Sequence, residues 1–347
     1  MNHPYFEYND VDRRFFEERL EPWLPERLFD AHRHVQLPEH LDESQPAYER
    51  GAFPAGIAGP ESVEMARLGY AIMFPGRNVE MLAFGSPQSN VRAEANNAWV
   101  SSQFEGTLSC GLALNRPDWE PETLLRELRR PAIIGAKPYE RLIADFEGGD
   151  ASVFDLMPHH QLEVLDELGA WLTLHLPRKE RLADRNNLLE IAELRARYPN
   201  VVLVIAHLGR SYAGRYAREG FPALAEDPGI LFDNSAVLNP AVHALALDRF
   251  GPERIMWASD QPIFYMRGRR RWEGDRYINL TSGDYAWNTD RQPPEIEATY
   301  TLSLYEAMAA CADTIFALGY GAAEVEAVFH GNARAKIAEV LARKEAW

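Results

Sequence analysis

The chain is poor in lysine: of 36 basic residues, Lys137, Lys179, Lys336 and Lys344 are the only lysines, and the rest are arginine. Cysteine is scarcer still, at Cys110 and Cys311, too few for a disulfide framework or a thiolate metal site. Positive charge is in deficit as well, since 52 acidic residues leave a net charge of −16. That balance argues against a nucleic-acid partner, because phosphate contacts require a basic face, although a local cationic pocket can sit in an acidic protein. No apolar run approaches the ~20 residues of a membrane helix, and "MNHPYFEYNDVDRRFFEERL" lacks the basic-then-apolar order of a signal peptide. No glycine-rich dinucleotide fingerprint follows the first apolar run, which disfavours a doubly wound nucleotide-binding sheet. These absences predict a cytoplasmic protein with neither a membrane nor a nucleic-acid partner.

What is present is alternation. Hydrophobic residues make up 46% of the 347, enough for a large core. Eight short apolar runs recur: "LFDAHRHV", "YAIMFPG", "TLSCGLALN", "AIIGAKPY", "AWLTLHLP", "VVLVIAHLG", "ILFDNSAVL" and "RIMWASDQP". Amphipathic stretches of helix length, such as "EPETLLRELRR" and "NNLLEIAELRARY", lie between several of them. Strand and helix in alternation predict a parallel sheet, and eight units predict an α/β (β/α)8 TIM barrel over residues 1–347 as one domain. Residues 1–26 read as an N-terminal helix and linker. Long loops are expected after strand 1 (36–68) and after strand 8 (261–297), the latter as a lid, since loops of that length are usually functional.

Ionisable residues close several of these runs. "RLFDAHRHVQL" carries His32 and His34 one residue apart, and in an extended chain both face one side. Later runs end in Lys137, His175, His207 and Asp260. In a (β/α)8 barrel the C-terminal strand ends surround the active site, and buried charges persist there only when paired or bound to a metal. Neutral imidazoles and a carboxylate suit a divalent ion such as Zn²⁺ with a position left for water, and such an ion lowers the pKa of water to about 7. Arg210, three residues past His207, can hold an anion through its planar fork.

The ordered set Asp-x-His-x-His, then His, His and Asp at strand ends five, six and eight, resembles the amidohydrolase superfamily, and more closely its amidohydrolase-2 family. "HGNARAKI" (330–337) resembles that family's closing helix motif, and the likeness runs from about Leu28 to Ala342. It implies a metal-dependent hydrolase barrel with His32, His34 and His175 as ligands, Asp260 as ligand or proton shuttle, and His207 polarising the substrate or acting as acid/base. One Zn²⁺ is the expected cofactor, with Mn²⁺ possible, and a homodimer is expected by the same likeness. Lys137 has two readings: a carboxylated bridge between metals, as in parts of the superfamily, or an ammonium set against a substrate carboxylate. The latter is favoured, with Tyr139 of the same "GAKPY" segment also touching substrate. The implied reaction is hydrolysis of a small carboxylated ester or lactone. The alternatives are non-oxidative decarboxylation of an aromatic or unsaturated acid on the same groups, and a barrel that binds without turnover.

Other polar features are expected to be structural. Arg33 should face away from His32 and His34, and Arg178 should be at the surface. His159, His160 and His330 read as capping or packing residues. The run Arg267, Arg269, Arg270 and Arg271 reads as a solvated loop face, with a substrate or interface role as the lesser alternative.

Overall fold

A computed structural model describes residues 2–42, 44, 56–144, 146 and 150–347. Its strands are β1 (Arg27–His34), β2 (Asn78–Phe84), β3 (Cys110–Leu114), β4 (Ile133–Lys137), β5 (Trp171–Leu174), β6 (Val202–Ile205), β7 (Ile230–Asp233) and β8 (Ile255–Met256). They pair in chain order, each parallel to the next. The ring shuts between β8 and β1 through backbone bonds: Ala31 N–H to the Trp257 carbonyl (3.1 Å), Asp260 N–H to that of His32 (3.0 Å) and His34 N–H to that of Gln261 (3.0 Å). This is the expected (β/α)8 barrel.

Alternate strand residues divide into two apolar layers, as the two-residue period of a strand requires. Phe29, Leu82, Leu112, Ile134, Trp171 and Val204 belong to one cluster, which also takes in Ala333, Ile337 and Val340 of the C-terminal helix Asn332–Lys344. Their neighbours Leu28, Met81, Ala113, Ile133, Leu172 and Leu203 pack in the other, against the helices. The C-terminal helix reaches the chain just before several strands: Arg334 donates to the Leu108 carbonyl and Arg343 to that of Gly169. One end of the barrel is therefore plugged, which leaves the C-terminal strand ends for chemistry.

Seven of the eight apolar runs contain a strand. The exception is "YAIMFPG" (70–76), which belongs largely to the helix Val63–Met73. Val63, Ala66, Gly69, Tyr70 and Met73 are its buried residues, spaced by three and four as one helix face demands. The second strand is instead "NVEMLAF", whose polar start, Asn78 and Glu80, hides it from a search for apolar runs. The loop expected over 36–68 thus ends where this helix begins, and its residues 43 and 45–55 lie outside those described.

The stretch 261–297 holds a hairpin of two antiparallel strands, β9 (Gly268–Glu273) and β10 (Arg276–Thr281). Burial alternates along its first strand, with Gly268 and Arg270 buried and Arg269 and Arg271 exposed. The N-terminal segment forms a helix, Asp10–Phe15, continued by a wider turn over Phe16–Leu20.

Candidate active site

A cavity of about 250 Å³ opens at the C-terminal strand ends, with His32, His34, His175, His207, Arg210 and Asp260 in its wall. The register of β1 against β2 shifts between Asp30 and Arg33, and His32 within that irregularity and His34 beyond it both meet Phe84, at ring-centroid distances of 4.9 and 5.1 Å. Arg33 points elsewhere, to Glu61 (2.5 Å) and Tyr265 (2.8 Å). Asp260 follows the short β8 and adopts a left-handed φ of 56°, while its N–H binds the His32 carbonyl. His207, Leu208, Gly209 and Arg210 form a left-handed turn (φ 57°, 48°, 71° and 60°) directly after β6. Such conformations cost about 1–2 kcal/mol per non-glycine residue and concentrate at functional sites.

Three histidines are oriented through Nδ1. His32 Nδ1 lies 2.8 Å from Asp233 Oδ2, and His34 Nδ1 lies 3.1 Å from the Gly85 carbonyl. His207 Nδ1 meets Ser235 at its Oγ (2.8 Å) and its carbonyl (3.2 Å). The Ser235 hydroxyl donates to Asp233 Oδ1 (2.5 Å), so its oxygen is an acceptor for His207. Each neutral ring then carries its proton on Nδ1 and presents a bare Nε2.

His32 Nε2 and His34 Nε2 lie 3.7 and 3.4 Å from Asp260 Oδ1. Burial lowers the His32 pKa to about 4 and also lowers that of His207, so both rings are neutral near pH 7. Burial opposes ionisation of Asp260, but His207, His34 and His32 outweigh it and hold its pKa below the usual range. With Nδ1 engaged on the far side of each ring, two imidazole nitrogens and a carboxylate oxygen converge on one point, a donor set that fits a divalent cation. His32, His34 and Asp260 offer ligand atoms all within 4.8 Å of one another. His32, His207 and Asp233 form a second such group, yet Asp233 already accepts from His32, from the His207 and Ser235 N–H groups and from the Ser235 hydroxyl. With its oxygens so engaged, Asp233 suits the part of a carboxylate standing behind a metal-binding histidine rather than that of a ligand.

His175 stands beside His207, ring centroids 5.3 Å apart, and belongs to neither group. Burial first, then Arg210, holds its pKa well below the ordinary value. Arg210 donates Nη1 to the Leu176 carbonyl at 2.8 Å. Tyr139 lines the cavity; Lys137 lies behind it. The Lys137 Nζ is 3.9 Å from the Tyr139 ring centroid and 5.4 Å from that of Phe84, with no hydrogen-bond partner among the described residues. Burial lowers its pKa to about 7, against the pull of Asp233 and Asp260.

The sequence reading missed Asp233, Ser235, Arg181, Tyr212 and Tyr277, and gave the arginine run that holds Arg270 a substrate role only as the lesser alternative. Asp233 ends the apolar run "ILFD", the same signal that singled out Lys137. Arg270 corrects the expectation of a wholly solvated arginine run. The hairpin alternates, so one arginine in two turns inward, and Arg267 is tied to Asp12 at 2.6 Å. Arg178 is also buried rather than at the surface, in a paired contact with Glu190 (2.6 Å).

The amidohydrolase-2 family model, described as amidohydrolase, matches residues 29–335. The chain belongs to the amidohydrolase-2 family. Among curated proteins none matches the sequence. Solved structures share the family's barrel at low identity. An amidohydrolase from Burkholderia multivorans with bound zinc is 14% identical, with 88% of this chain and 97% of that one covered and a TM-score of 0.58. A putative 2-pyrone-4,6-dicarboxylic acid hydrolase from Pseudomonas putida is 18% identical over 90% and 97%, with a TM-score of 0.55. The 5-carboxyvanillate decarboxylase of Sphingomonas paucimobilis is 15% identical over 89% and 98%, with a TM-score of 0.54. The family indicates an enzyme of the amidohydrolase kind, and this barrel carries histidine and aspartate groups that can bind a metal. No helix among the described residues is long and apolar enough to cross a membrane.

Proposed function

We propose that the protein hydrolyses a small carboxylated ester or lactone with one divalent ion. The observation that carries this reading is the approach of His32 Nε2 and His34 Nε2 to Asp260, with the Nδ1 atoms held from behind. The proposed ligands are His32, His34 and Asp260, with His175 as a further imidazole from the same cavity. Zn²⁺ suits this nitrogen-rich set, and Mn²⁺ is the second candidate. When bound, the ion supplies Lewis acidity where water meets the carbonyl. One ion rather than two follows from His32 serving both groups while its Nδ1 is engaged with Asp233.

Asp260, ionised and next to the incoming water, takes its proton. His207 holds an unprotonated Nε2 and, once protonated, donates to the leaving oxygen. Arg210 binds the substrate carboxylate and fixes the distance to the carbonyl, while Lys137 adds positive charge from behind Tyr139.

Decarboxylation is the second reading, favoured by the cavity's flat aromatic walls, Tyr139, Tyr212, Phe264 and Tyr277. There His207 or Asp260 protonates carbon as CO₂ leaves. Turnover of a panel of lactones and unsaturated acids in H₂¹⁸O and in D₂O separates the two. Solvent ¹⁸O in a new carboxylate is expected. CO₂ release with deuterium on product carbon would instead establish the lyase.

A further inference from the structure

Two guanidinium groups in the cavity wall lack an acidic partner. Arg181 lies in the turn after β5 and Arg270 on β9, so neither belongs to a barrel strand. Both line the cavity, together with Tyr212 and Tyr277. The Tyr212 ring centroid is 5.0 Å from the Arg181 guanidinium carbon and 5.1 Å from that of Arg270. Tyr277 is 5.4 and 4.7 Å from the same two carbons. Two like charges are therefore held around one pair of rings.

Cation–π contact fixes the guanidinium planes but brings no counter-charge. Among the described residues no Asp or Glu oxygen comes within 4.0 Å of either group. Arg181 Nε and Nη1 are buried without a hydrogen-bond partner. Arg270 is buried, bound to Asn279 Oδ1 (2.7 Å) and the Ala236 carbonyl, and burial lowers its pKa, with repulsion from Arg181 adding to that effect. Burying cations together is costly unless an anion joins them. Asp260 acts on Arg270 only from a distance, so although the chain has 52 acidic residues, none among the described residues closes on either arginine, and a paired anion has to be supplied from outside.

Arg210 is a third cation in the same wall, and it influences His175 directly. Tyr212 spans the interval, since its ring also lies 6.0 Å from that of His207. We propose that Arg181 and Arg270 form a second anion subsite, so that the ligand of this cavity is a small flat dianion. One acidic group sits beside Arg210 and the histidines, the other between Arg181 and Arg270, with the connecting ring against Tyr212 and Tyr277. A cavity of about 250 Å³ holds a single ring of this kind. The inference rests on the proposed function for the fate of the first group, and on its own geometry for the second.

The test uses benzoate and isophthalate, which share a ring and differ by one carboxylate. Calorimetry on the purified metal-loaded protein is expected to give isophthalate an affinity at least about tenfold higher, the scale of a charge-assisted hydrogen-bonded pair. R181M and R270M are each expected to reduce that ratio to below about threefold. The ratio is the readout, so a variant that binds both acids poorly through a damaged fold does not imitate the effect. Isophthalate no tighter than benzoate, or a ratio kept in both variants, overturns the subsite. Because no turnover is needed, the preference in a protein that neither hydrolyses nor decarboxylates any acid would keep the subsite and remove the reaction.

Discussion

His34 Nε2 faces Asp260 Oδ1 at 3.4 Å, while the other nitrogen of the same ring lies 3.1 Å from the Gly85 carbonyl. The carbonyl can only accept, so that nitrogen donates to it and Nε2 is left turned towards the carboxylate, where a cation between the two would bind both. Protein purified from zinc-supplemented medium should therefore carry about one ion per chain. H34A and D260N should each lose it, as read by mass spectrometry of the metal content. Full occupancy in both variants would refute the ligand set.

Asp260 is also the proposed proton acceptor. A positioned acid or base typically contributes 10²–10⁴-fold, so D260N should lower kcat by about that factor or more with an unchanged circular-dichroism spectrum. H207A should impair turnover while leaving the metal content in place. A variant of either residue with wild-type kcat would remove it from the reaction.

Behind the site, Glu61 accepts from Arg33 and from Tyr265 (2.7 Å) and lies 3.2 Å from His3 Nε2, with all of these groups buried. Removing one partner of a buried pair strands the other charge, at about 3–5 kcal/mol. Urea denaturation of R33M should show a loss of that size, and a loss under about 1 kcal/mol would mean that the pair contributes little.

Gly135 on β4 is needed for close approach rather than for an unusual dihedral. A Cβ there would meet the Trp171 carbonyl oxygen at 1.9 Å, and backbone in a barrel strand cannot step aside. G135A should cost at least about 1–3 kcal/mol by overpacking. Its melting temperature should drop, and an unchanged one would exclude the clash.

Acid should weaken the fold partly through His243. Burial lowers its pKa to about 4 from 6.5, and its Nε2 is held 2.9 Å from the Val237 carbonyl. The unfolded chain then binds the proton first, so this contribution is complete above pH 6.5 and declines as pH falls towards about 4. The full swing is of the order of 3 kcal/mol. Unfolding free energies measured across this range should fall less steeply for H243Q than for the wild type, and equal slopes would exclude the residue.

Strand order and the cavity's histidines were readable because period-two apolar runs ending in an ionisable residue leave a trace along the chain. His32, His34, His175, His207 and Asp260 all carry that mark, and all line one cavity. Strand β2 was misplaced because its neighbouring helix is the more apolar of the two. Arg181 and Arg270 left no comparable trace: one sits in a turn, the other in a run of arginines whose alternation appears only after the hairpin pairs. Which of several arginines turns inward is a tertiary fact, set by the partner strand. The separation of His175 from the trio around Asp260 is likewise invisible to spacing, since strand ends give order around a ring but not distance across it.

The bonds that close the ring join His34 N–H to Gln261 and Asp260 N–H to His32, so the fastening line of the cylinder runs through the very residues proposed to grip the ion. Loosening there separates the ligands, and filling the site rivets the two edges together. Thermal opening should then begin along this line in the empty protein and shift elsewhere in the loaded one, with the amide protons of His34 and Asp260 exchanging far more slowly once the ion is in place.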